Sequence, residues 1–288
     1  MENLRIGTCS WKYPSWKGLV YSAEKKINFL EEYAHKYDTV EVDQWFWSLF
    51  GQDKIQLPRP ETVAEYNDAV PEDFSFTIKA PNSITLTHFY RHLTGGKMVP
   101  NPYFLSIPLF EEFLNLISPL KKKIGLIMLQ FEYLNRQKID GLGDFLDRLS
   151  GFLAAIPQWV PIAVETRNPQ FFGRPYFEFL AEKKLSQVFI QGYFMPDIRR
   201  LYHRSKALLQ GSAVIRLHGY ERDEIEKKTK KIYNSIVEPK DDELPGIISL
   251  IQDMRSRGLQ VYLNVNNHYE GSAPLSIDRI QNLIDELS

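Results

Sequence analysis

Apolar residues in this chain gather in short runs, and longer stretches of helical period separate the runs. Eight such runs read as strands: "LRIGTCS" at 4–10, "TVEVD" at 39–43, "FSFTIKA" at 74–80, "IGLIMLQF" at 124–131, "PIAVETR" at 161–167, "SQVFIQG" at 186–192, "AVIRLHG" at 213–219 and "LQVYLNVNN" at 259–267. Most are rich in β-branched residues and too short for helices. Between them, apolar residues recur at helical spacing in 23–37, 109–123, 141–155, 174–184, 246–257 and 274–287. Continuous apolar strands alternating with helices predict a parallel sheet covered by helices. Eight such units in one chain predict a TIM (β/α)8 barrel, a single α/β domain over residues 1–288. The rival is a doubly wound sheet, which usually carries a glycine-rich phosphate loop after its first strand. Here "TCSWKYPSWKG" follows, and no G-x-G-x-x-G, Walker A, H-E-x-x-H or G-x-S-x-G motif is present.

Three loops are long, and all follow strands: 44–72 after the second, 81–104 after the third and 220–245 after the seventh. In a barrel, loops after strands lie on the face that carries active sites. The stretch "TGGKMVPNP" within 81–104 has the Gly and Pro content of a mobile loop or lid.

The strand ends carry the chemistry. The second run ends in Glu41 and Asp43, the third in Lys79, the fourth in Gln130, the fifth in Glu165 and Arg167. The seventh ends in Arg216 and His218, and the eighth in Asn264, Asn266, Asn267 and His268. Residues two apart on a strand share a face, so closure of the sheet brings these groups to one mouth. Any single pair reads as a buried ion pair, because an isolated buried charge is costly. The set of six polar strand ends reads as a binding site.

Composition narrows the class. Apolar content is 43% and aromatic content 13%, enough for a sizeable core, and the net charge of -1 does not suit a general nucleic-acid binder. The one cysteine, Cys9, allows no intrachain disulfide and no cysteine-based zinc site. Lacking a signal-like N-terminus or a run of about 18 apolar residues, the chain is expected in the cytoplasm and off the membrane. Oligomeric state is left open.

The motifs "GTCSWKYPSWKG", "TVEVDQWFW", "FSFTIKAP…LTH", "LIMLQF", "AVETRN", "IRLHG" and "NVNNHYEGSAP" resemble, in order, the YecE-like family, also called domain of unknown function 72. The resemblance runs from about residue 5 to about residue 280. It implies a TIM barrel and no established activity. Thr87, His88, Arg216, His218, Gly219, Asn266 and Asn267 match the family pattern. The chain departs from it at Asp43, where the family has Asn, at Cys9, where a serine or small residue is usual, and at Asn168, where a histidine is common.

Three readings follow. The leading one is an enzyme (a hydrolase, lyase or isomerase without an organic cofactor) acting on a phosphorylated or acidic, oxygen-rich small molecule. Glu41, Glu165 and His218 would supply acid and base, their order undetermined. Lys79, His88, Gln130, Arg167, Arg216, Asn266, Asn267 and Trp11 would hold the anionic substrate. Trp16, Trp45 and Trp47 in the same loops read as either stacking platforms or a hydrophobic cover.

The second reading is a metal-dependent phosphodiester hydrolase resembling barrel-type DNA-repair endonucleases, with Glu41, Glu165, His218 and His268 as ligands. No metal is favoured, since the resident cations repel a metal cluster, but one divalent ion has room. His88 and His92 have the i, i+4 spacing that ligates metal on a helix, a weak signal in a glycine-containing loop. The third is a non-catalytic nucleic-acid-binding barrel using Lys227, Lys228, Lys230 and Lys231, a stripe that Glu224 and Glu226 offset. Cys9 reads as structural.

Overall fold

The computed structural model describes residues 3–24 and 26–286. Residue 25, inside the helical pattern at 23–37, and residue 287, at the end of the pattern at 274–287, lie outside the described residues. Among the described residues ten strands form: β1 (Leu4–Thr8), β2 (Thr39–Val42), β3 (Leu49–Gly51), β4 (Lys54–Ile55), β5 (Ser75–Lys79), β6 (Ile124–Gln130), β7 (Ile162–Glu165), β8 (Ser186–Gly192), β9 (Ser212–Gly219) and β10 (Gln260–Val265). Eight of them close into a barrel in the order β1-β10-β9-β8-β7-β6-β5-β2, while β3 and β4 make a separate hairpin. Every pairing in the barrel is parallel. All eight predicted strands are therefore barrel strands of a TIM barrel.

Period-two alternation explains how each strand serves two environments. The outward residues, among them Val40, Phe76, Ile127, Val164, Phe189, Ile215 and Leu263, join the large core beneath the helices. Leu126, Met128, Ala163, Val188, Ile190, Val214 and Tyr262 form a second apolar cluster, the set that alternates with the outward one. On the same faces but one step nearer the C-terminal ends stand Gln130, Glu165, Arg216 and Asn264. The lumen is thus a packed apolar column with a polar upper layer.

Helices at Phe29–Ala34, Ile107–Leu116, Gly141–Ala155, Arg174–Glu182, Leu244–Ser256 and Ala273–Glu286 fall within or beside the predicted segments. Four helices go beyond them: Pro60–Asp68, Ile198–Ser205, Arg222–Thr229 and the short Asn82–Thr85. The second of these buries Ile198, Leu201, Tyr202 and Ser205, but three arginines and a histidine in eight residues hide that apolar face. No described helix is long and apolar enough to cross a membrane.

The long loops are built rather than open. Segment 44–72 holds the hairpin and the helix Pro60–Asp68, and 220–245 holds Arg222–Thr229. Segment 81–104 does not have the architecture of a free lid. His88 bridges Pro100, and buried Asn101 donates to the carbonyls of Ser83 and Leu86 at 2.8 and 2.7 Å. His88 and His92 share no helix, since His88 is extended and His92 sits in the turn Arg91–Leu93, so the i, i+4 metal pattern does not form.

Candidate functional site

The upper layer of the lumen is one continuous ion chain. Arg216 on β9 donates from Nε and Nη2 to the two oxygens of Glu41 on β2, both at 2.7 Å, and from Nη1 to Glu165 on β7 at 2.6 Å. The fork-on-carboxylate geometry is the strong form of this contact. Lys79 lies 3.1 Å from Glu41, and Arg167 lies 2.7 Å from Glu165. Asn264 donates to Thr77 at 2.9 Å and to Glu41 at 3.4 Å, and Gln130 Oε1 accepts from Arg216 at 3.4 Å. The structure thus brings Glu41, Lys79, Gln130, Glu165, Arg167 and Arg216 into one network.

The chain has a closed interior and two partly open ends. The side chains of Glu41, Glu165 and Arg216 are at most 1% exposed, whereas Lys79 is 11% and Arg167 21% exposed. Burial opposes the charge on Glu165, but Arg216 and Arg167 outweigh it and hold the carboxyl below its usual range. Burial likewise works against Arg216, and Glu165 and Glu41 more than offset it. Asp43 is different: burial, aided by Glu41 and resisted by Lys79, pushes it up to about 6.

His218 lies next to this chain. It is buried, its Nδ1 is 3.0 Å from the Tyr193 hydroxyl and its Nε2 is 3.7 Å from Cys9 Sγ. Burial, together with the nearby Arg216, Lys79 and Arg167 charges, holds the imidazole well below its usual pKa, so it is neutral at neutral pH. Burial also pushes the Cys9 thiol up, in keeping with a structural cysteine.

Above the ion chain opens a cleft of about 690 Å3, within the ordinary size of ligand sites. Arg167 and Gln130 reach it from the barrel, and Phe46, Trp47, Tyr90, Tyr133, Tyr193 and Phe194 supply aromatic walls. The Arg167 guanidinium stacks over Tyr193 at 4.9 Å. Tyr193 was missed by sequence reasoning. Its signal is Gly192 at the end of β8, where φ is 134° and a Cβ would lie 2.0 Å from the Gly219 carbonyl oxygen. That close approach, followed by left-handed Tyr193 (φ 52°) and Phe194 (φ 61°), turns Tyr193 onto His218.

Several expected residues stand elsewhere. Trp11 is 2% exposed and packs edge-on against Tyr66, which also stacks on Trp45. Trp11, Trp16 and Trp45 are therefore core, and only Trp47 of these four lines the cleft. Asn267 Oδ1 accepts from the Ala273 amide at the start of the last helix, and Asn266 Oδ1 accepts from the His268 amide. Both asparagines fold the loop after β10, because a short amide side chain answers nearby backbone donors readily. His88 lines a separate 230 Å3 pocket and contacts Thr87.

The four candidate metal ligands do not converge. Glu41 and Glu165 face Arg216, His218 faces Tyr193, and His268 sits 3.2 Å from Glu226 and 3.3 Å from the Tyr233 hydroxyl. Among the described residues no group of three or more His, Cys, Asp and Glu is arranged to hold a metal. The basic stripe is partly neutralised, with Lys228 paired to Glu238 and Lys231 to Glu226.

Comparison with known proteins agrees with this architecture. The protein YecE of Escherichia coli is 30% identical over 170 residues, 59% of this chain. The matched segment spans about half the length of that relative (50%). A DUF72 family protein of Enterococcus faecalis superposes with a TM-score of 0.68 at 21% identity, covering 98% of this chain and 95% of that one. A DUF72 family protein of Thermotoga maritima gives 0.64 at 22% identity, covering 99% and 98%. The family model described as "Protein of unknown function DUF72" matches residues 5–287, and the chain belongs to that family.

Proposed function

We propose that the chain is an enzyme that binds a small organic anion in the cleft at the C-terminal mouth of the barrel and moves a proton on it. The observation that carries this reading is Arg167: a partly exposed guanidinium in the cleft, fixed from behind by Glu165 and from one face by Tyr193. A preset arginine fork receives a carboxylate or phosphate without first having to be ordered. Gln130, whose Oε1 accepts from Arg216, lines the cleft beside it.

The roles within the site follow from exposure. Glu41 and Glu165 are closed off by Arg216 and serve as positioning residues that hold the cations. Acid–base work falls to Tyr193, which lines the cleft with its hydroxyl 3.0 Å from His218 Nδ1: burial keeps both groups uncharged, so the phenol serves as the proton donor and the imidazole orients it. This division suits a hydrolase, lyase or isomerase that needs no organic cofactor.

The test is calorimetric titration of the full chain with a panel of carboxylates and phosphates, repeated with Arg167→Gln. Binding of at least one anion, lost in the variant while the unfolding midpoint holds, supports the reading. Absence of binding by every anion, or binding indifferent to Arg167→Gln, overturns it.

A further inference from the structure

We infer that the ligand is a flat, unsaturated or aromatic monocarboxylate and not a phosphorylated sugar; this rests on the anion site proposed above and narrows its chemistry. Arg167 and Glu132 are the charged residues among those lining the cleft, and Glu132 is already paired with Lys138. Lys79 is turned toward Glu41, with its ammonium 5.5 Å from the Phe46 ring centroid. The cleft therefore offers one open guanidinium edge and no second cation among its lining residues. A phosphate dianion asks for several converging donors or a row of backbone amides, whereas one planar fork matches one planar carboxylate.

The walls point to the rest of the molecule. Trp47 is 59% exposed, Tyr133 54% and Phe194 96%, and all three line the cleft. Tyr193 and Phe194 project from left-handed backbone, a conformation that residues other than glycine adopt at a cost, and Tyr193 is held against His218 and Arg167. Flat aromatic surfaces held open to water are complementary to a flat apolar partner, which stacks on them and removes both surfaces from solvent. A polyol would instead need many converging hydrogen-bond groups, and Gln130 and Gln170 are the amides the lining supplies.

The test is calorimetric titration of the full chain with trans-cinnamate, cinnamamide and glucose 6-phosphate. The expected result is that cinnamate binds, that cinnamamide binds at least tenfold more weakly, and that glucose 6-phosphate binds more weakly than cinnamate. Trp47→Ala should weaken cinnamate severalfold and Arg167→Gln at least tenfold. Trp159→Ala, which removes an exposed tryptophan outside the cleft, should leave the affinity unchanged. The cinnamate–cinnamamide comparison uses the unmodified chain, so it stands even if a variant fails to fold. Tighter binding of glucose 6-phosphate than cinnamate overturns the inference and leaves the anion site standing. Equal binding of acid and amide overturns it as well, since the carboxylate then does nothing. If none of the three binds, this inference fails, and the carboxylate and phosphate panel with Arg167→Gln decides the anion reading separately.

Discussion

Arg216 grips Glu41 with two parallel hydrogen bonds of 2.7 Å across the barrel lumen, between strands that are not neighbours in the sheet. Both side chains are closed to solvent. Removing one partner of such a pair leaves the other buried and uncompensated, at a cost of about 3–5 kcal/mol. Glu41→Gln is therefore expected to lower the unfolding free energy by about that amount, read from the urea midpoint at unchanged slope. Adding Arg216→Met is not expected to recover the loss, because buried Glu165 then loses its 2.6 Å partner. A loss below about 1 kcal/mol would mean that the pair is not desolvated as described.

Asp43 carries a pH signature. Its carboxyl is pushed up to about 6 by burial, so between its unfolded value and 6 the native state binds more protons than the unfolded one. Stability contributed by this group then falls as pH rises through that window. Asp43→Asn should be close to neutral at pH 4 and stabilising by up to about 2 kcal/mol at pH 8. Chemical denaturation at the two pH values measures the difference, and the same shift at both would assign it to something other than the charge.

His218 works in the opposite sense. Its pKa is held well below the usual imidazole value, so the unfolded chain takes up the proton first as pH falls. The stability tied to a neutral His218 is present above the unfolded value of about 6.5 and is lost below it. His218→Gln should flatten the decline of stability between pH 6.5 and 5. An unchanged slope would mean that the imidazole already titrates normally.

Cys9 is buried and its thiol is pushed up by that burial. The native protein should react with an aromatic disulfide reagent only at the rate of unfolding, and the denatured protein at once. Fast reaction of the folded chain would show an accessible thiolate and reopen its role as a nucleophile.

Gly192 has no room for a side chain, since a Cβ would meet the Gly219 carbonyl oxygen at 2.0 Å. Gly192→Ala is expected to cost at least about 2 kcal/mol, from the clash together with a φ of 134°. It should also separate Tyr193 from His218, which the histidine nitrogen chemical shifts would report.

The barrel strands were readable because their outward faces are nearly continuous apolar runs, and Glu41, Lys79, Glu165 and Arg216 interrupt the inward faces near the C-terminal ends. That interruption also revealed the ion chain: Glu41, Glu165 and Arg216 stand out in runs such as "TVEV", "IAVE" and "AVIRL". Trp11 and Asn267 were misplaced for a different reason. Position after a strand gives proximity to the mouth but not direction, and tertiary packing turned Trp11 onto Tyr66 and Asn267 onto a helix start. Tyr193 was hidden because its place depends on two glycines meeting across β8 and β9, a contact that sequence periodicity does not encode. The cleft walls come from side chains on five separate loops or strand ends, and no single motif contains them.

The ion chain also bears on how the barrel is assembled. Arg216 meets Glu41 across 175 positions of chain and Glu165 across 51. A nascent or truncated chain that stops before β9 lacks the cation that joins the two carboxylates and leaves Glu41 with Lys79 and Glu165 with Arg167, the two partly exposed ends of the ion chain. Half-barrels of this chain are therefore expected to keep a hydrated, loosely held mouth until β9 delivers Arg216.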